Sequence, residues 1–328
     1  MKRLSLILIS IALFLILLLT LGACNVGAAN GENTRYNYLI CGFDDASDNT
    51  DVIIIASFDT ESQRLDFVQI PRDTAYSSEI GFYKINGIYP KKIAQGKSGD
   101  EALGYLRDEL GEIFGIKFNG YFGLCTDNLR EIVDILGGIE VYVPESVDGA
   151  LLSALGLKRG LNLLDGKEAL RLVRYRKSYI TGDLGRIDAQ KLVISALIKR
   201  LHSGFDLGSA LDMIIRLDGV ASDFRVRDIL KILGKSRGSL EKFNLSFSTL
   251  PGEAAADKCG IWYYVANKAS GGKLLFELGI SDTEAFDPRG KLMPRGSAEL
   301  MKLYDKPELR YKIYYNNDIL SINFNTRK

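Results

Sequence analysis

Four polar clusters in this chain carry side chains suited to holding a phosphorylated ligand. Pro71-Arg72-Asp73-Thr74 follows Arg64–Ile70, where polar and apolar residues alternate and predict a strand. Arg72 would then stand at that strand's C-terminal edge, where open α/β sheets bind ligands. In Arg174-Tyr175-Arg176, read as extended, residues i and i+2 point to the same side. Two guanidiniums would face one spot and need an anion or an acid to neutralise them. Asp183-Leu184-Gly185-Arg186 opens a predicted helix, with Gln190 on the same face as Arg186 and both near an N-terminus whose dipole favours anions. Asp44, Asp45, Asp48 and Asp51 lie between the first two predicted strands, and such a carboxylate loop suits a hard cation, Mg²⁺ (or Mn²⁺). Taken singly, these read equally as a surface turn, a solvated basic face, a helix cap and an acidic turn. Taken together, they offer bidentate donors for phosphate oxygens beside carboxylates for a metal, which is most of what phosphoryl transfer asks of a protein.

Composition narrows the alternatives. The chain has 328 residues, 42 Lys+Arg against 41 Asp+Glu, and a single histidine, His202. One histidine excludes multi-histidine metal sites, and no nucleophile-elbow motif accompanies it. The near-neutral balance argues against nucleic acid as a partner. Of the four cysteines, Cys24, Cys41, Cys125 and Cys259, none forms a CxxC pair, which argues against a zinc cluster.

The elements that must position these clusters alternate between strands and helices. Tyr36–Phe43 and Val52–Phe58 are short apolar, β-branched runs that predict buried strands. Ser98-Gly99-Asp100-Glu101 has the form of a capping box, and the helix after it places Leu103, Leu106, Leu110, Ile113 and Phe114 on one face. Thr126-Asp127 opens a helix with Leu129, Ile132, Val133 and Leu136 inward, stopped at Gly137. Gly138–Val143 and Asn244–Leu250 predict strands, Gly166–Val173 and Gly185–His202 helices, and Phe205–Leu217 and Val226–Leu233 shorter helices. The pattern is α/β, with layers around a central sheet.

The ends differ from the middle. Residues 1–23 hold Lys2 and Arg3, then an apolar stretch from Leu4 to Leu21, and read as a signal peptide or membrane anchor. The sequence Leu21-Gly22-Ala23-Cys24 has the form of a lipobox, which makes Cys24 a candidate for lipidation; 24–35 is small and polar and reads as a tether. A domain at 36–269 would then lie outside the cytoplasm, held at a membrane. Residues 270–328, with Gly271-Gly272, three prolines and a tyrosine-rich end, read as a C-terminal extension of unknown role.

From Asn37 to about Tyr264 the chain resembles the LytR-CpsA-Psr family. The matching pieces occur in the family's order: Gly42 and Asp44; Thr50-Asp51-Val52-Ile53; Ile70 to Thr74; Lys84-Ile85-Asn86; Gly137 to Val141; Gly166 to Leu170 running into Arg174, Arg176, Asp183, Arg186 and Gln190; and Leu250-Pro251-Gly252. The resemblance implies a three-layer α-β-α sandwich around a mostly mixed β-sheet, with a hydrophobic pocket for a lipid tail. It implies that a teichoic-acid or capsule-like glycopolymer moves from a polyprenyl-pyrophosphate carrier to peptidoglycan, with Mg²⁺ helping. By the same resemblance Arg72, Arg174, Arg176 and Arg186 hold the pyrophosphate, Gln190 supports them, and Asp44 with Asp51 holds the metal. Asp183 orients an arginine or takes the proton of the attacking hydroxyl. Two positions depart from the family: Asn49 and Ala189 stand where it usually has arginines. The same residues also fit a non-catalytic lipoprotein that binds polyprenyl phosphate or glycan, and a polyprenyl-pyrophosphate hydrolase with water as acceptor.

Overall fold

The computed structural model describes residues 35–43, 49–59, 62, 64–79, 81–125, 128–143, 149–175, 183–202, 221–223 and 244–315. The apolar segment 1–23, the tether up to Thr34, Cys24, Asp44, Arg176 and the helices predicted at 205–217 and 226–233 lie outside them, while Arg35, read as the tether's last residue, begins the first strand. Among the described residues, no helix is long and apolar enough to cross a membrane.

A seven-stranded sheet organises the molecule. Its strands are β1 (Arg35–Phe43), β2 (Thr50–Asp59), β3 (Arg64–Gln69), β6 (Gly120–Cys125), β9 (Ala221–Ser222), β10 (Asn244–Thr249) and β13 (Tyr314–Tyr315), in the order β13-β10-β3-β2-β1-β6-β9. β10 runs parallel to β3 and β1 parallel to β6, while β2, β9 and β13 run the other way, so the sheet is mixed. The parallel strands β1, β3, β6 and β10 therefore all end at one edge of the sheet.

Both faces are covered, and strand alternation divides the core in two. Tyr38, Ile40, Ile54, Ala56, Phe58 and Phe67 face one apolar cluster; Leu39, Cys41, Ile53, Ile55 and Val68 face the other. The first cluster is closed by helices α3 (Asn128–Ile135), α4 (Gly149–Leu155), α5 (Gly166–Arg174) and α6 (Asp183–His202) with the hairpin β7 (Ile139–Val143)–β8 (Gly160–Leu164). On the second lie α1 (Ile88–Ala94) and α2 (Gly99–Phe114), and also α7 (Lys268–Glu277) and α8 (Ala298–Tyr304). The hairpins β4 (Ala75–Ser78)–β5 (Gly81–Lys84) and β11 (Gly252–Ala256)–β12 (Trp262–Ala266) join them there. The result is a three-layer α-β-α sandwich.

Local signals act as the sequence predicts. Ser98 caps α2 reciprocally with Glu101, Oγ accepting from Glu101 N at 3.2 Å and Glu101 Oε2 accepting from Ser98 N at 2.9 Å. A second capping box, Asp165 with Glu168, starts α5. Gly166 in its first turn is obligatory, because a Cβ there would lie 1.9 Å from the carbonyl oxygen of Arg130.

The described part of the C-terminal segment, 270–315, packs into the main core: Leu274, Leu275, Phe286, Leu292, Leu300 and Tyr304 belong to the same buried cluster as Leu103 of α2. Gly271 and Gly272 are part of that packing. They sit inside α7, where a Cβ on Gly272 would come within 2.1 Å of the Glu284 carbonyl oxygen. Asp287, held at φ 50°, accepts from Lys291 N at 2.6 Å, Leu292 N at 2.7 Å and the Tyr304 hydroxyl at 2.9 Å, fixing the turn between the two helices. β13 completes the sheet at its edge.

At the opposite edge from the strand ends described above, a buried carboxylate ties four strands together. Asp66 of β3 is fully buried; its oxygens meet Arg35 Nη1 at 3.3 Å, Arg64 Nη2 at 2.9 Å and the Ser246 hydroxyl at 2.5 Å. Arg35 also donates to Ser57 and Asp59 of β2. Removing one member of a buried ionic network strands the rest, so Asp66→Ala is expected to destabilise the fold by about 3 kcal/mol, and Asp66→Asn by less, in urea unfolding. Gly166→Ala is expected to cost roughly 1–3 kcal/mol by forcing α5 from α3. A Gly166→Ala protein as stable as the parent would show that the close approach of Arg130 relaxes freely.

Candidate active site at the strand ends

The edge where β1, β3, β6 and β10 end is the place where polar side chains meet. β3 finishes at Gln69, and Ile70 N still reaches Ile53 O at 2.8 Å before the chain turns at Pro71. The turn that follows is held from several sides. Thr74 donates to Pro71 O through its amide at 3.0 Å and its hydroxyl at 2.5 Å. Asn86 N donates to Arg72 O at 3.2 Å, Ile85 N to Thr74 O at 2.8 Å and Tyr264 N to Asp73 O at 2.9 Å. Lys84 Nζ sits 3.0 Å from Asp73 Oδ1. Hence Lys84-Ile85-Asn86 braces the backbone that carries Arg72.

Arg72 is directed back over the sheet edge. Its guanidinium pairs with the carboxylate of Asp51 at the start of β2, the two side chains being 18% and 11% exposed. A register shift explains how Asp51 reaches it. Gly42 pairs with Val52 but Phe43 pairs with Thr50, so Asp51 is the extra residue of a β-bulge. Bulges of this kind re-aim a side chain at the end of a ladder. Sequence reasoning places Arg72 and Asp51 in one site, and the structure joins them in an ion pair.

The opposite layer is clamped to the same edge. Gln69 and Thr249 are register partners on β3 and β10. Consecutive residues of α6 bond to both: Gln190 Oε1 accepts from Gln69 Nε2 at 2.5 Å, and Lys191 Nζ donates to Thr249 Oγ1 at 2.7 Å. Gln190 and Lys191 are 7% and 3% exposed. Gln190 thus holds a helix to a strand three residues before Arg72. Lys191, the next residue of the helix, is a buried cation at this edge. No sequence signal marks it, because its partner Thr249 lies 58 residues away.

The remaining predicted residues fall as follows. α6 begins at Asp183, so Asp183 and Arg186 are in the first turn of the helix that Gln190 and Lys191 fasten down. Arg174 is the last residue of α5, not part of an extended strand; only the following Tyr175 is extended, at φ −69° and ψ 135°. The same-side argument for Arg174 and Arg176 therefore does not hold as stated, although a cation in a helix's last turn is favoured by the dipole. Ala189 is fully buried among the core residues of the first cluster, while Asn49 is partly exposed at the foot of β2.

A divalent cation fits this donor set in kind. Asp51 offers hard carboxylate oxygen, and Mg²⁺ is commonly held by one or two carboxylates with substrate phosphates and water completing its shell. Among the described residues no group of three or more His, Cys, Asp or Glu side chains forms a ready-made metal cage. Asp44, the second expected ligand, lies outside them.

Comparison with known proteins identifies the fold. The family model described as the LytR_cpsA_psr family matches residues 24–278. The polyisoprenyl-teichoic acid–peptidoglycan teichoic acid transferase TagU of Oceanobacillus iheyensis is 26% identical over 241 residues, covering 72% of each chain. TagV of Bacillus subtilis, described as the same kind of transferase, is 31% identical over 166 residues, 48% of this chain and 40% of its own. The structure of TagT bound to LI-WTA superposes with a TM-score of 0.60 at 19% identity, over 77% of this chain and 94% of that one, a likeness that speaks for the fold. The chain belongs to the LytR-CpsA-Psr family.

Proposed function

We propose that this protein moves a glycopolymer from a polyprenyl-pyrophosphate carrier to peptidoglycan at the outer face of the cell membrane, held there by lipidated Cys24 or an N-terminal transmembrane helix. The observation that carries the reading is the braced Arg72–Asp51 pair at the strand ends, the edge to which Gln190 and Lys191 fasten the helix that bears Asp183 and Arg186. Relatives named as teichoic acid transferases support the substrate class.

On this reading the pyrophosphate lies along the sheet edge. Arg72 keeps one donor on Asp51 and turns others to a phosphate oxygen, since a guanidinium has five. Arg186 and the N-terminal turn of α6 face the same charge, and Arg174 and Arg176 approach from the end of α5. A hydroxyl of the acceptor glycan attacks the sugar-side phosphorus. A new P–O bond forms, the bridging P–O bond breaks, and polyprenyl phosphate leaves with the electron pair. Asp183 takes the hydroxyl proton or orients an arginine. A divalent ion between Asp51, Asp44 and the phosphates would neutralise charge on their oxygens and on the leaving group. The carrier's tail needs an apolar pocket continuous with this edge, which is part of the proposal.

Gln190 and Lys191 act on this reading by position, setting where the first turn of α6 stands. The test is transfer from a polyprenyl-pyrophosphate glycan to peptidoglycan by the full chain in detergent or vesicles. Arg72→Ala is expected to lower kcat about 100-fold or more, the scale for removing one preorganised charge donor. Arg72→Lys should recover little, because the fork geometry is lost. Binding of carrier without any transfer to peptidoglycan, or release of phosphate to water alone, would replace this reading with the binding or hydrolase alternative. Chelation by EDTA is expected to abolish transfer, with Mg²⁺ or Mn²⁺ restoring it; full activity in EDTA would remove the metal from the scheme. Gln190→Ala should lower kcat while leaving the unfolding midpoint near the parent's, and a loss confined to stability would mark the glutamine as merely structural.

A further inference from the structure

The hairpin β11–β12 leaves the sheet at the same edge as the candidate site. It begins right after Leu250-Pro251 at the end of β10, and its second strand is fastened to the Arg72 turn by the bond from Tyr264 N to Asp73 O. Tyr263 faces inward, its ring 4.6 Å from that of Phe82. The tip is rigid. Asp257 Oδ1 accepts from Cys259 N at 2.8 Å and Ile261 N at 2.9 Å, Asp257 N donates to Ile261 O at 2.9 Å, and Gly260 turns the chain at φ 78°. Yet this pinned loop presents its apolar side chains to solvent. Residues 258–262 are exposed without interruption, with Ile261 at 48% and Trp262 at 62%. A fixed loop that holds an indole and an isoleucine in water is expected to meet an apolar partner.

The neighbours of Trp262 select that partner. A sugar stacked on an indole needs hydrogen-bonding groups beside the ring for its hydroxyls. Along the tip those positions are Cys259, Gly260 and Ile261, and the Asp257 oxygen that faces the loop is occupied by backbone amides. Indole at headgroup depth, a branched aliphatic below it and one lysine, Lys258, reaching back to the headgroups match a bilayer interface instead. The chain supplies the reach, although it enters the domain at the opposite edge of the sheet. Its mainly apolar stretch Leu4–Leu21 is joined to Arg35 by 13 residues, which span at most about 45 Å when extended.

We propose that the Lys258–Trp262 tip is a second membrane contact, which dips Ile261 and Trp262 into the headgroup region and turns the strand-end edge toward the bilayer. The inference rests on the proposed function in one respect: a carrier whose pyrophosphate stands at the bilayer surface requires that edge to face it. A flexible tether alone would leave the domain free to tumble, whereas two contacts fix its orientation at little cost.

Trp262 is the chain's single tryptophan, so intrinsic emission reports on the tip alone. The full chain would be reconstituted into vesicles of phosphatidylglycerol and phosphatidylcholine. The expected result is blue-shifted emission, severalfold quenching by lipids brominated high on the acyl chain, and severalfold protection from aqueous acrylamide. Ile261→Asp, at an exposed position, should reverse all three without unfolding the protein. Trp262 emission that stays water-like in vesicles and untouched by brominated lipid would overturn the proposal. So would protection given by soluble peptidoglycan strands and not by lipid, which would make the tip a glycan platform. Neither readout requires turnover, so an inactive protein with a quenched tip would sink the transferase reading and leave this one standing.

Discussion

The ion pair between Arg72 and Asp51 joins the end of one strand to the start of its antiparallel neighbour, in a sheet covered on both faces. That covering is the constraint on which the site depends. Between the two apolar layers a polar side chain has nowhere to project except past the strand ends. With β1, β3, β6 and β10 running in one direction, their C-terminal ends gather the turns at one edge, and β2 adds its own start there through the bulge at Asp51. The opposite edge has a different use. There Asp66, Arg35 and Arg64 form a buried network that ties strands together.

The strand-end edge also shows how a helix in a separate layer is brought into register. Gln69 and Thr249 stand side by side on parallel strands, and Gln190 and Lys191 are consecutive on α6. Two hydrogen bonds across that pair fix both the height and the rotation of the helix, which a single bond would not do. The first turn of that helix holds Asp183 and Arg186. Ala189, just before Gln190, is fully buried in the first core cluster. Lys191 is a buried cation at the same edge as Arg72.

Much of this was legible in the sequence, and the failures have physical causes. Continuous apolar runs located β1 and β2, which are buried on both faces, and period-two and period-3.6 patterns located β3, α2 and α3. The Arg72 turn was legible because Pro71 must stop a ladder. Arg174 was misplaced because an arginine that ends a helix and one that begins a strand look alike without the cap geometry. The packing of Gly271-Gly272 was hidden because sequence reveals a glycine's freedom and not the carbonyl that crowds it. The Asp51 bulge and the Lys191–Thr249 contact were out of reach, since each depends on pairing between segments distant in the chain.

The charge balance at the edge follows from these placements. Arg72 and Asp51 cancel each other, so the pair alone offers no net attraction to a doubly charged phosphate. What it offers is position: a guanidinium whose backbone is pinned by Thr74, Asn86 and Lys84-Ile85 and whose head is already oriented by a carboxylate. Net positive charge comes from elsewhere: Lys191 is buried at this edge, and on the proposed reading Arg174, Arg176, Arg186 and a cation bound at Asp51 would add to it. An anion arriving with its own divalent ion satisfies both partners at once, leaving the guanidinium to the phosphate and the carboxylate to the metal. An anion arriving alone must compete with Asp51 for Arg72. A neutral pair of this kind suits the ligand proposed above, a pyrophosphate that arrives with a divalent ion.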